Sequence, residues 1–91
     1  MQQSVSAHGQ GVLKFADGRT VEVAARLTIN RSFFSVSGEG EFQTDSHTAT
    51  YAFMAEEPLS LKVGEAPPAF IVVREARTMA ATARCWFSVH S

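Results

Sequence analysis

The sequence predicts an all-β domain, namely a small antiparallel up-and-down barrel of six or seven strands. Three observations predict it: apolar residues recur at every second position, tight-turn residues separate these segments, and no long helical period interrupts them. The 91 residues are 45% hydrophobic, which suits one core of ordinary globular composition. A β-sandwich remains the alternative, because alternation alone does not fix strand tilt and register.

The clearest strand covers residues 20–29. Its apolar residues alternate with mostly polar ones, so one face lies on a core and the other faces water. The Asp17-Gly18 dipeptide just before it is typical of a hairpin turn, since both residues tolerate positive φ at low cost. We therefore expect residues 11–15 to form the other strand of a first hairpin.

The domain organisation follows from this first hairpin. We expect a flexible N-terminal segment over residues 1–9 and a single β domain over residues 10–91. The first ten residues contain neither a basic stretch nor a long apolar run, so we expect no signal peptide. The single cysteine excludes an internal disulfide, and a reducing cytoplasmic location is the expectation.

The next strand is expected over residues 33–43, after a turn at residues 30–32. Alternation places Phe34 and the glycines of Gly38-Glu39-Gly40 on its inner face. These glycines are typical of a sharp strand bend, because a phosphate-binding loop requires a following helix that is not predicted here.

The second half of the chain supplies the remaining strands. Residues 47–54 are expected to return from a turn as a strand, and Leu59, Leu61 and Val63 alternate in a short one. Residues 69–74 are β-branched and apolar, which predicts another strand. The last strand is expected from about residue 81 to residue 88, with one short helical turn near residues 75–80 as the open alternative.

A short motif lies at the turn after the clearest strand. Asn30-x-Ser32 followed by Ser35 resembles part of the cyclic-dinucleotide motif of PilZ domains, which are also small six-stranded barrels. Ser35 stands where that motif has a glycine, and no Arg-x-x-x-Arg precedes it. Asn-x-Ser is also ordinary turn chemistry, so the resemblance implies a shared size and strand count without assigning the family.

The residues that usually carry catalysis or bind metals are scattered. The histidines at 8, 47 and 90 lack metal-ligand spacing, although His8 and His90 would meet if the first and last strands were neighbours. Cys85 falls on the inward face of the last strand, where a thiol behaves as a small apolar group. We expect no catalytic residue, no metal site and no cofactor.

The net charge of -1 conceals an uneven distribution along the chain. Residues 1–38 contain four basic and two acidic residues, giving +2, and residues 66–91 contain three basic and one acidic, also giving +2. Residues 39–65 contain one basic and six acidic residues, giving -5. If the chain ends meet when the barrel closes, a basic side would lie opposite an acidic side.

Five residues are candidates for binding. Arg84 and Trp86 share the outward face of the last strand, with Arg74 and Arg77 just before it. An arginine beside an aromatic ring can stack on bases, bind an anion or form a protein–protein hot spot. Phe33 is predicted to face outward among serines, where a loop or a second subunit would cover it.

These features predict a non-enzymatic binding module whose partner is another protein or a second copy, as in a homodimer. The alternative is a small-molecule or nucleotide carrier, or a minor enzyme, that uses the barrel mouth or the Arg/Trp face. A small anionic ligand fits that alternative, a nucleic acid is the least favoured partner, and no membrane partner is expected. So small a barrel has little interior space for a ligand, which favours the binding role.

Overall fold

A computed structural model describes residues 3–90, which form a closed ring of six antiparallel strands together with a short helix. The elements are β1 (Gln3–Lys14), β2 (Thr20–Arg31), β3 (Val36–Asp45), α1 (Ser46–Met54), β4 (Leu59–Val63), β5 (Ala69–Met79) and β6 (Thr82–Val89). Neighbouring strands follow the order β1-β2-β3-β6-β5-β4, and β4 closes the ring against β1. The predicted all-β barrel is therefore confirmed.

The strand order differs from a simple up-and-down order at one connection. β3 pairs with β6, and α1 carries the chain across the end of the barrel from β3 to β4. The prediction of a strand over residues 47–54 was wrong, because Asp45 caps a helix there. Its carboxylate accepts hydrogen bonds from the Thr48 hydroxyl at 2.6 Å and the Thr48 backbone N–H at 2.9 Å. These two hydrogen bonds lower the pKa of Asp45 below its ordinary value, because they stabilise the charged carboxylate. The bond from the hydroxyl has the larger effect.

The N-terminal segment forms part of a strand that the sequence does not predict. Residues 3–9, expected to be flexible, belong to β1 and pair with β2 up to the Gln3–Arg31 pair. Residues 1 and 2 lie outside the described residues. The segment has little apolar content of its own, so its strand conformation depends on the β2 template that pairs with it.

The hairpin of β5 and β6 contains no helical turn. The helical alternative near residues 75–80 was wrong, since β5 continues to Met79 with a bulge between Val73 and Glu75. The chain reverses at Ala80, whose φ of 59° is the left-handed value that such tight reversals require. β6 then begins at Thr82, close to the predicted start.

The core fills the ring with inward-facing apolar side chains. Within residues 3–90 every buried side chain is apolar. Ala49 and Ala52 of α1 are buried over one end of the barrel, which we call the helix end. The opposite end, where β2 meets β3 and β6 finishes, has no helix over it among the described residues, and we call it the open end. No helix within residues 3–90 is long and apolar enough to cross a membrane.

Two glycines on the inner face of β3 allow close packing at its centre. Gly38 lies opposite Ile29 and Gly40 lies opposite Leu27 of β2. A methyl group on Gly40 would overlap the carbonyl oxygen of Arg26 and lie 2.6 Å from the Phe87 ring. The strand continues on both sides of this pair, so the glycines serve packing rather than phosphate binding.

Replacing Gly40 by alanine is expected to lower the free energy of unfolding by about 1–3 kcal/mol, because backbone and ring atoms must both shift. Glu39→Ala, the outward-facing neighbour, is the matched control and is expected to change stability by less than about 0.5 kcal/mol. Urea unfolding followed by far-UV circular dichroism measures both variants. Equal stability of the two variants would contradict the close packing of β3.

Candidate binding surfaces

A groove of about 670 Å³ lies at the open end of the barrel. We call it the open-end groove. Much of its lining is apolar, from the β2–β3 turn, the start of β5 and the end of β6: Ile29, Phe33, Phe34, Val36, Phe70 and Val89. Arg31 and His90 supply the charged and titratable side chains of this lining. The groove is therefore mainly a surface for apolar contact.

Phe33 and Phe34 form the tip of the β2–β3 turn. The Ser32 backbone N–H donates to the Ser35 carbonyl oxygen at 2.9 Å and closes a turn with only these two residues between them. Their side chains are 88% and 95% exposed, with ring centroids 5.8 Å apart. Phe33 is exposed as predicted, but the strand does not begin at Phe33, because both phenylalanines lie in the turn before β3. The inward placement of Phe34 was wrong for the same reason. Hairpin tips usually carry Gly, Asn or Asp, so two phenylalanines here are a costly exposure.

Phe70 enlarges this surface and was not singled out from the sequence. It occupies an outward position of β5 between the buried residues Ala69 and Ile71, and it is 61% exposed. The alternation of residues 69–74 was the available signal, because it places every second residue outside. Phe70 and the β2–β3 turn line the same groove although they are far apart in the chain.

The edge of β1 is a second feature near the open end. β1 and β2 each contain 12 residues and pair along their whole length, whereas β4 contains only 5. β4 therefore pairs with β1 only over Gly11–Lys14. The N-terminal half of β1 pairs on one side with β2 and lies next to the β2–β3 turn, since Gln3 is opposite Arg31.

The four basic and aromatic candidates lie together on the β5–β6 hairpin. Arg77 is directly opposite Arg84, and its guanidinium carbon lies 5.6 Å from the centre of the Trp86 ring. Arg77 also contacts Glu75 at 3.3 Å. The Arg74 Nε donates to the Ser88 hydroxyl at 2.8 Å. We call this group the Arg/Trp surface.

The structure separates Phe33 from the Arg/Trp surface. Phe33 is at the open end, whereas Arg77 and Arg84 lie close to the β5–β6 turn. That turn is attached to the helix end, because the Ser46 backbone N–H donates to the carbonyl oxygen of Ala81 at 3.1 Å. The sequence-predicted residues therefore form two surfaces, and not one.

Acidic residues are mixed with the basic ones on the outer face of the sheet. Glu41 of β3 lies between Arg26 of β2 and Trp86 of β6. The expected basic side opposite an acidic side does not form, because β1 and β6 are not neighbours in the ring. For the same reason the expected meeting of His8 and His90 has no basis in strand pairing. Among residues 3–90, no three His, Cys, Asp or Glu side chains are placed to hold a metal ion.

A further groove, of about 490 Å³, lies where α1 meets the β1–β2 turn. The Arg19 guanidinium carbon lies 5.2 Å from the Phe15 ring centre and 5.1 Å from that of Tyr51. The Arg19 Nε also lies 3.5 Å from a carboxylate oxygen of Asp17. The lining of this groove contains one basic residue, Arg19, and three acidic ones, Asp17, Glu56 and Glu57, which makes it a weaker candidate for an anion.

Comparisons with protein-family models, with curated proteins and with solved structures find no match for this chain. The residues of the PilZ-like motif have local structural roles. Asn30 lies in β2, where its side-chain oxygen accepts from the Ser4 hydroxyl at 3.0 Å, and the Ser32 and Ser35 hydroxyls lie 3.1 Å apart across the turn.

Cys85 is fully buried in β6, on the inward face that the alternation predicted. Burial raises the pKa of its thiol from 9.0 to about 11. The thiol therefore stays neutral in the folded protein at pH values where it ionises in the unfolded chain. This arrangement is that of an inert core cysteine rather than a nucleophile.

The raised pKa of Cys85 predicts a loss of stability in alkali. Above its unfolded pKa the unfolded state loses the proton first, so the stabilisation present below about pH 9 is lost as the pH rises towards about 11. Between about pH 8 and about pH 11, the wild type should lose roughly 2 kcal/mol more than Cys85→Ala. Urea unfolding of both proteins at each pH measures this difference. Parallel losses would mean that the thiolate is accommodated in the folded state.

Proposed function

We propose that this protein is a non-enzymatic interaction module that works as a homodimer through the open-end groove. The observation that carries the proposal is the pair of exposed phenylalanines at the tip of the β2–β3 turn. A tight hairpin turn does not require phenylalanine, and neither ring is packed in the core. A cytoplasmic location belongs to the same proposal, since the buried Cys85 forms no disulfide.

The free energy expected from covering these rings supports self-association. Covering an exposed phenylalanine side chain contributes about 1.5–3 kcal/mol. A two-fold contact uses the same surface of each copy, so Phe33 and Phe34 from both copies together contribute roughly 6–12 kcal/mol. Association itself costs about 4–15 kcal/mol. The two ranges overlap, so the groove gives a weak dimer at the lower association costs and requires additional contacts for a tight one.

A double variant, Phe33→Ser with Phe34→Ser, is expected to weaken dimerisation by at least about 10,000-fold, since each copy loses two rings and each of the four rings accounts for more than about 1.4 kcal/mol. Phe53→Ser is the matched control, because Phe53 is 50% exposed on α1, far from the groove. Sedimentation equilibrium over a wide concentration range measures the mass of each protein. A wild type that stays monomeric throughout, or a double variant that associates as the wild type does, would contradict the proposal.

The Arg/Trp surface supports a second candidate function, which is binding of a small anionic ligand. Arg77 and Arg84 face each other across the hairpin, and like charges placed directly opposite destabilise a sheet. Glu75 is the one carboxylate within ion-pair distance of either arginine among the described residues. An anion between the two guanidinium groups would remove the repulsion, and Trp86 would lie at its side.

Trp86 is the only tryptophan in the chain and reports on this surface directly. Titration with pyrophosphate or adenosine monophosphate at low salt is expected to change its fluorescence, and added salt should weaken the effect. Arg84→Ala should abolish the response, whereas Arg31→Ala, at the open end, should retain it. A wild-type response that is absent, or equal in the Arg84 variant, excludes this function.

A further inference from the structure

Half of β1 has an edge that nothing in the described chain covers. β4 reaches only Gly11, and Gly64 then turns away with a φ of 55° while its N–H donates to the Gln10 carbonyl oxygen at 3.3 Å. Within residues 3–90, no backbone hydrogen bond from any strand other than β2 reaches Gln3–Gly9. Alternate backbone N–H and C=O groups of these seven residues therefore face outward along one edge.

This edge lacks the features that normally protect a free strand. Natural proteins shield such edges with lysine, proline, inward-pointing charges or a covering loop. Gln3–Gly9 contains no lysine, arginine, aspartate, glutamate or proline. An extended peptide is the occupant that satisfies a row of backbone donors and acceptors.

We propose that the β1 edge of a second copy is this occupant, paired antiparallel about a two-fold axis at Ser6. The inference rests on the proposed homodimer and specifies how it forms. Centring the pair on Ser6 aligns all seven residues, with Val5 opposite the partner's Ala7 on the inner face and Ser4 opposite the partner's His8 on the outer face. This register places no two acidic and no two basic residues opposite each other. The backbone groups of the two edges bond to each other, so no free β1 edge remains for a third copy.

The inner face of this pairing continues into the open-end groove. Val5 is opposite Ile29, a groove residue, and yet it is 46% exposed. Adding a strand beside it would complete the ladder on that side and bury its exposed methyl groups. Strand pairing and apolar contact lie at the same end of the barrel, so one two-fold interface can contain both.

Two valines of β1 provide a matched test. Val5→Lys introduces a charge on the inner face of the free half, whereas Val12→Lys introduces one on the outer face, where β1 pairs with both β2 and β4. Val5 and Val12 have similar exposure, 46% and 41%. In sedimentation equilibrium, Val5→Lys should weaken the wild-type dimer by at least tenfold and Val12→Lys should leave it unchanged. The reverse pattern would overturn the proposal.

A charge-pairing experiment tests the register and does not depend on Val5. Ser6 is exposed, and at the two-fold axis it faces its own symmetry mate. Ser6→Lys and Ser6→Glu should each weaken dimerisation alone, and an equimolar mixture should restore it as a heterodimer. Failure of the mixture to recover overturns the Ser6-centred pairing. Full dimerisation of each Ser6 variant alone, with loss in the Phe33/Phe34 double variant, would reject strand pairing while the groove dimer stands.

Discussion

The backbone pairing of β1 with β4 closes the ring over only four residues, Gly11–Lys14, and the two ends of the molecule differ because of it. On the helix side of this contact, Ala49 and Ala52 of α1 are buried against the barrel. On the other side β1 and β2 continue as a longer hairpin, since β4 ends at Val63. The free edge of β1 results from this difference in strand length, and the β2–β3 turn, which lines the open-end groove, lies at the end of the longer hairpin.

The relative strength of the exposed interactions favours the open end as the main contact surface. Exposed ion pairs such as Arg77–Glu75 contribute between 0 and about 1 kcal/mol. Each exposed phenylalanine contributes about 1.5–3 kcal/mol once it is covered. The interior of the ring is filled by apolar side chains, so binding chemistry is confined to the outer surfaces. These magnitudes support the proposals of a small charged ligand at the Arg/Trp surface and of a protein surface at the open-end groove.

The alternation of apolar and polar residues was sufficient to predict much of the fold. In the strand at residues 20–29, for example, the period of two in side-chain polarity matches the period of two in burial. Alternation failed where another interaction decides the structure. The cap at Asp45 starts a helix in an alternating segment, and the N-terminal half of β1 is a strand because β2 pairs with it. For the candidate surfaces, alternation placed Phe34 inward because it could not locate the turn. The position of Arg77 opposite Arg84 depends on the bulge in β5, which has no sequence signal of its own.

β4 covers only the C-terminal part of β1. Amide hydrogen exchange along β1, measured residue by residue at low and high protein concentration, tests this central claim most directly. The amides of Gly11–Lys14 should be protected at both concentrations, because β2 and β4 flank them. Alternate amides of Gln3–Gly9 should exchange rapidly in dilute solution and become protected as the concentration rises. Uniform protection of the whole of β1 in dilute solution would contradict this account, because it would mean that the monomer closes its own edge.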